Sequence, residues 1–238
     1  MTGVQTCALP IYRKKVLASS SLSGHEAEYG NDEQVETWWA SQTGKKGEWW
    51  QVDLGEAMTV HALQVNFADQ DFDMKAPDSF FNYQYLIEYS IDGDQWKVLT
   101  DKSKNENDRP HELLVFDAGI EIQFLRITNT KEMKGKFSLF DFRVFGKGHK
   151  DLPRAVSQFD VSRDSDRRKI TFRWNAQDNT TGYILRWGVK RDQLNNAVMV
   201  FENQFEGRFF NRDSEYYFSI DAFNESGITK GTTILERM

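Results

Sequence analysis

Residues 36–55 read Glu-Thr-Trp-Trp-Ala-Ser-Gln-Thr-Gly-Lys-Lys-Gly-Glu-Trp-Trp-Gln-Val-Asp-Leu-Gly, with two tryptophan pairs, Trp38-Trp39 and Trp49-Trp50, eleven positions apart. From the second pair onward the chain alternates. Trp50, Val52 and Leu54 fall on one side of an extended segment, and Trp49, Gln51 and Asp53 fall on the other, as the period of two in a strand requires. The first row, with Trp39, feeds a core. The second row puts Trp49 on a face that is either covered by a neighbouring segment or open to a partner. Large aromatics beyond what a strand needs for packing point to a β-sandwich that binds a ligand before they point to catalysis.

The same period recurs in Leu63, Val65 and Phe67, in Tyr85, Ile87, Tyr89 and Ile91, and in Leu125 and Ile127. Short segments of this kind between turn residues predict half-buried antiparallel strands. Helical periodicity is almost absent. Asp92-Gly93 marks a tight hairpin, because glycine supplies the positive φ such a turn needs. Residues 68–82 and 102–111 are irregular, and long loops on a rigid sandwich are where ligands usually meet a protein.

Four spaced motifs follow one another: Thr37-x-Trp39, Trp49-x-Gln51-Val52-Asp53-Leu54-Gly55, Ser90-x-Asp92-Gly93-x-x-Trp96 and Arg143-Val144-Phe145-Gly146. In that order they resemble the discoidin, or coagulation factor V/VIII type C, domain, and within it the version that forms family 32 carbohydrate-binding modules. The resemblance covers residues 13–148 and implies an all-β, jelly-roll sandwich. Gly146–Pro153, with two glycines and a proline, breaks the strand pattern and predicts a linker at residues 149–155. Residues 156–238 resemble a fibronectin type III domain, an immunoglobulin-like sandwich. That likeness makes Trp174 and Tyr183 core aromatics and puts Tyr216 at the tyrosine corner, although Phe210 and Arg212 stand where the family usually has leucine and proline.

A length of 238 residues accommodates two such modules. No run approaches the ~18 apolar residues of a membrane span. The net charge of −6 argues against duplex nucleic acid as a partner, because phosphate binding needs a basic face. Lys45-Lys46 and Arg167-Arg168-Lys169 are short, acid-flanked clusters that read as solvated turns. The first residues, Met-Thr-Gly-Val-Gln-Thr-Cys-Ala-Leu-Pro-Ile, resemble a translated sequencing adapter, so residues 1–12 are set aside from the fold. On that reading the natural protein extends further upstream, and Cys7, the single cysteine, drops out. No disulfide framework, zinc cluster or thiol nucleophile is then expected.

Sugar binding needs an aromatic ring against the apolar face of a pyranose and side chains that hydrogen-bond its hydroxyls. Trp38, Phe72, Phe80 and Phe81 are the loop candidates for the ring, and His25, Asp69, Asp71, Asn82, Asn105 and His111 those for the polar contacts. Trp39, Trp50 and Trp96 are assigned to the core. The resemblance further implies one structural calcium ion on Asp32, Thr37 and Asp141, where Asp141 has a shorter arm than the family's usual glutamate. The residues alone point instead to an Asx turn at Asp32 without metal.

Signals for catalysis are missing. The four histidines, His25, His61, His111 and His149, lack metal-binding spacing, and no nucleophile elbow or phosphate loop occurs. Asp69 and Asp71, two apart on an extended segment, point the same way, whereas a glycosidase needs its carboxyls on either side of the bond. Asn66–Asp71, Tyr83-Gln84-Tyr85 and Asp108–His111 especially resemble tails of bacterial glycoside hydrolase family 43 enzymes. The expectation is therefore a non-catalytic accessory region from the C-terminus of a secreted, periplasmic or cell-surface polysaccharide-degrading enzyme. It would tether an upstream catalytic domain to plant or host glycan. The alternative is a structural or protein-interaction tail that buttresses that domain without binding sugar.

Overall fold

The computed structural model describes residues 7–9, 11, 13–72, 82–232 and 234–237. Among them the regular elements are strands, apart from one 3₁₀ turn at Ala27–Asn31, and no helix is long and apolar enough to cross a membrane. The chain divides into two units, Met1–Lys147 and Gly148–Met238.

The first unit contains β1 (Cys7–Leu9), β2 (Val16–Ala18), β3 (Trp39–Ala40), β4 (Trp49–Phe67), β5 (Tyr85–Ser90), β6 (Lys97–Asp101), β7 (His111–Asn129) and β8 (Ser138–Lys147). They pair in the order β1-β8-β4-β7-β5-β6, with β2 beside β4 and β3 beside β8. The two 19-residue strands make this sheet fold over on itself. Residues 49–53 of β4 lie between β2 and β7, whereas residues 59–66 lie between β8 and β7. The register between β4 and β7 shifts from Asp53 to Met58 and again from Val60 to Ala62. Irregularities of this kind bend a strand and increase its twist. Gly119 sits at the second bend with φ +71°, and a Cβ there would come within 2.7 Å of the Thr59 and His61 side chains.

Both halves of the folded sheet face one core. Trp39, Trp50, Val52, Leu54, Leu63, Val65, Ile87, Leu125, Ile127, Phe137 and Phe142 are buried there, each contributing about 1.5–3 kcal/mol for its full burial. The indole N–H of Trp50 donates to Ala27 O at 2.8 Å and that of Trp39 to Ser20 O at 3.1 Å, so neither large ring leaves a donor unpaired.

One expectation changes. Trp96 is half-buried on the outer face, not in the core: its Nε1 donates to Gly93 O at 3.0 Å, and the Arg126 guanidinium lies 4.0 Å from its ring centroid. The hairpin turn, which residue periodicity does not register, sends the indole outward. Arg126 also lies 5.0 Å from the Trp49 ring, so Trp49 is covered by a cation from β7. Cys7–Leu9, set aside on sequence grounds, pairs with Val144–Gly146 of β8. An edge strand asks only for backbone hydrogen bonding, which any extended segment can supply.

The second unit contains β9 (Phe159–Arg163), β10 (Ile170–Trp174), β11 (Gly182–Gly188), β12 (Asn196–Val200), β13 (Gln204–Gly207), β14 (Tyr216–Asn224), β15 (Gly227–Thr229) and β16 (Leu235–Arg237). One sheet has the order β13-β10-β9 and the other β12-β11-β14-β15, with β16 also on β14. Its own core includes Phe172, Trp174, Tyr183, Leu185, Phe218 and Ile220. The Tyr216 hydroxyl accepts from the Asn211 amide at 3.1 Å.

Candidate functional site

Trp39 turns into the core from β3, so its neighbour Trp38 faces the other way and meets two loops from distant parts of the chain. The His25 ring lies 4.4 Å away, tilted 33°, with Nδ1 3.1 Å from Trp38 O. The Trp38 indole N–H donates to Gln70 Oε1 at 2.9 Å, and Gln70 Nε2 donates to Asp71 Oδ1 at 2.7 Å. Lys136 Nζ is 4.0 Å from Asp71. Phe140, on β8, stands edge-on to Trp38 at 5.6 Å. The predicted residues His25, Trp38 and Asp71 are thus brought together through Gln70, which lies 32 positions from Trp38.

Phe140 also lines a cleft of about 320 Å³ with Glu33, Val35, Asn66, His111, Asp141 and Arg143. His111 Nδ1 is 3.0 Å from Asn66 Oδ1, which presents the imidazole at the mouth. Val35 is 87% exposed. An aromatic ring, an amide, an imidazole and a guanidinium lining one concavity can pack one face of a small polar ring and hydrogen-bond its substituents.

The remaining sugar candidates serve other partners. Asp69 accepts from the Tyr83 hydroxyl at 2.8 Å, which also reaches Ala68 O at 3.0 Å. Burial first, and then the Asp69 charge, push the Tyr83 hydroxyl far above its usual range, so it stays a proton donor. Tyr83 stacks on Phe67 at 3.9 Å, and Phe72 meets it edge-on at 6.1 Å, which makes Phe72 a lid on the core. Asn82 donates to Asn105 O at 2.8 Å and accepts from Lys131 Nζ at 2.7 Å, while Asn105 donates to Tyr83 O at 3.0 Å. These amides tie two loops to each other. Phe80 and Phe81 lie outside the described residues.

The three calcium candidates form one charged corner. Asp32 closes an Asx turn: Oδ1 accepts from the Gln34 amide at 2.9 Å and Oδ2 from Thr37 Oγ1 at 2.7 Å. Asp141 is 8% exposed, and its carboxyl is pushed up to about 6 by burial and then by the nearby Glu33 charge. One of its oxygens lies 2.5 Å from Arg143 Nε, and the other is buried without a hydrogen-bond partner. Arg143 also donates to Glu33 Oε2 at 3.2 Å. Among the described residues no three His, Cys, Asp or Glu side chains gather as a metal cluster. As arranged, the corner does not fit an ion, because the cation facing Asp141 is a guanidinium.

Residues 15–141 match the F5/8 type C domain family. The chain belongs to this family. No curated protein matches the chain. Among solved structures, the F5/8 type C part is similar to chitosan-binding module 1 of a chitosanase/glucanase from Paenibacillus sp. IK-5, at 22% identity and TM-score 0.48, covering 58% of this chain and 98% of that one. Chitosan-binding module 2 of the same enzyme, solved with chitotriose, gives 23%, 0.48, 57% and 98%. The family 32 carbohydrate-binding module of NanJ from C. perfringens, solved with galactose, gives 20%, 0.48, 59% and 98%. In this F5/8 type C domain, Gln70, Asn66, Phe140 and Arg143 are the residues that sequence reading passed over. Gln70 and Phe140 directly precede the predicted Asp71 and Asp141, and Arg143 lies two positions from Asp141 with its side chain on the same strand face, but Gln70 and Phe140 reach Trp38, and Asn66 reaches His111, only through pairing of segments far apart in the chain.

Proposed function

We propose that the first unit is a non-catalytic carbohydrate-binding module whose site is the Phe140 cleft together with the adjoining Trp38 group. The observation that carries this reading is the concavity that His111, Asn66, Glu33 and Arg143 line together with Phe140. Hydroxyl-rich rings are bound by such a mixture of apolar wall and directed polar groups. Asp69 and Asp71 are held by Tyr83 and Gln70 separately, an arrangement that serves structure better than paired acid catalysis.

The second unit we read as a fibronectin type III spacer, on the strength of its three-stranded and five-stranded sheets, the buried pair Trp174 and Tyr183, and the Tyr216–Asn211 contact. The wider proposal rests on sequence resemblance: both modules act outside the cytoplasm, on a polysaccharide-degrading enzyme whose catalytic domain lies upstream. A weak sugar site tethered in this way keeps an enzyme near insoluble substrate through effective concentration.

A glycan array of plant and host oligosaccharides, including galactosides and chitooligosaccharides and run with calcium and with chelator, tests the module. Binding to a defined glycan, weakened at least tenfold by Phe140→Ala or Trp38→Ala, is expected. Absence of binding by the folded chain would favour the second reading, a docking face for protein. That reading has its own observation: Leu113 and Val115 are 60% and 63% exposed and line a shallow groove with Ala62 and Phe145.

A further inference from the structure

We infer a second ligand site, in the second unit, that takes a neutral, hydroxyl-rich molecule of the size of a short oligosaccharide. A cleft of about 580 Å³ opens where β9, β10 and the start of β13 come together, within the range of about 300–1,000 Å³ of small-molecule sites. Register places Trp174 against Phe159 and Arg173 against Asp160 across the β9–β10 pair. With side chains alternating along each strand, the first pair belongs to the core and the second to the outer surface, and the cleft is lined by both.

Two features separate this cleft from an ordinary surface dent. Trp174 is 5% exposed, yet its indole Nε1 is buried without a hydrogen-bond partner. A buried donor left unpaired is uncommon. The ring itself is fixed, with Tyr183 edge-on at 5.2 Å.

The second feature is the polar wall. Asn203 is pinned by two contacts: its Nδ2 donates to Trp174 O at 3.0 Å, and its carbonyl accepts from the Trp174 amide at 3.1 Å. Its side-chain Oδ1 is the acceptor end that remains. Gln158, Asn175 and Gln204 add carboxamides around it, each offering donor and acceptor together. Hydroxyl groups need that pairing, because each both gives and takes a hydrogen bond. Asp160 and Arg173 bring one charge of each sign, so the lining has no net charge with which to select an ion.

The test uses the full chain bearing Trp38→Ala and Phe140→Ala, which silence the first unit's proposed site. The six tryptophans it keeps of the native seven give resolvable indole N–H signals in a ¹⁵N-correlated NMR spectrum, assigned by triple resonance. Titration with neutral xylo-, cello-, arabino- and chitooligosaccharides is expected to move the Trp174 indole signal saturably with at least one of them. Adding Arg173→Ala and Gln204→Ala, both on exposed positions, should weaken that binding at least tenfold without lowering Tm. A Trp174 signal that no oligosaccharide moves would overturn the inference, as would movement only by peptides or by anions. Because the first site is read separately on the array, failure here leaves that reading untouched.

Discussion

Gly30 packs against the buried indole of Trp50 so closely that a Cβ would stand 2.9 Å from its Nε1. That nitrogen is already held by Ala27 O, and the ring cannot withdraw without opening the core. Gly30→Ala is therefore expected to cost about 1–3 kcal/mol by overpacking, measurable as a lower urea midpoint at unchanged m-value. Glu112 is the other residue whose setting decides its behaviour. Burial alone would raise its carboxyl, but hydrogen bonds from Lys102 at 2.6 Å and Tyr85 at 2.5 Å bring it below the ordinary value of 4.5. A depressed carboxylate adds stability that is complete above the unfolded pKa and is lost as pH falls through the folded one. Acid titration of stability should thus fall more steeply below about pH 4.5 in the native protein than in Glu112→Gln, which at pH 7 is expected to be less stable by about 2 kcal/mol. Equal slopes would mean that Glu112 is not ion-paired.

At the scale of elements, the corner joining the Asp32–Thr37 turn to β8 depends on which cation faces Asp141. Exposed ion pairs are worth little on their own, but Asp141 is buried and Arg143 is the charge that compensates it. Guanidinium and calcium would compete for the same carboxylate. Calcium should therefore raise the Tm of Arg143→Ala by more than it raises that of the native chain, with chelator as the baseline. Equal shifts would show that Arg143 does not occupy the ion's place. On the opposite face, Arg126 binds Gln51 Oε1 through Nε at 3.0 Å and Nη2 at 2.8 Å while lying between Trp49 and Trp96. Removing it with Arg126→Ala is expected to cost about 1–2 kcal/mol, from cation–π and charge-assisted contacts together, read by denaturant unfolding.

At the scale of the molecule, each unit has a separate hydrophobic core, and each core answers to its own substitutions. Phe172, fully buried among Phe205, Phe210 and Phe218, is expected on change to Ala to destabilise the second unit by about 3–5 kcal/mol. The near-UV signal of Trp174 and Trp187 should report it. A net charge of −6 sets the long-range field. No duplex DNA shift is expected in a low-salt gel, where counterion release would favour binding most.

Much of the strand pattern was legible locally. Trp50, Val52 and Leu54 are buried as their alternation requires, and so are Leu63, Val65 and Phe67, because the period of two is a property of each residue's own backbone. Gly93 takes φ +83° in the predicted turn, and Asp92 Oδ1 accepts from the Asp94 and Gln95 amides, again local chemistry. Strand ends were less legible: Ile91 continues the alternation yet is 53% exposed, since the turn has already begun there. What only the tertiary structure decided is partnership. Gln70 meets Trp38 across 32 positions, Arg126 meets Gln51 across 75, and Arg143 meets Glu33 across 110. Asn82 and Asn105, polar loop residues by every local sign, spend their hydrogen bonds on each other's loops. A sequence determines which way a side chain faces along its own strand; which distant group stands opposite is set by the register and bends of a sheet that closes around a shared core.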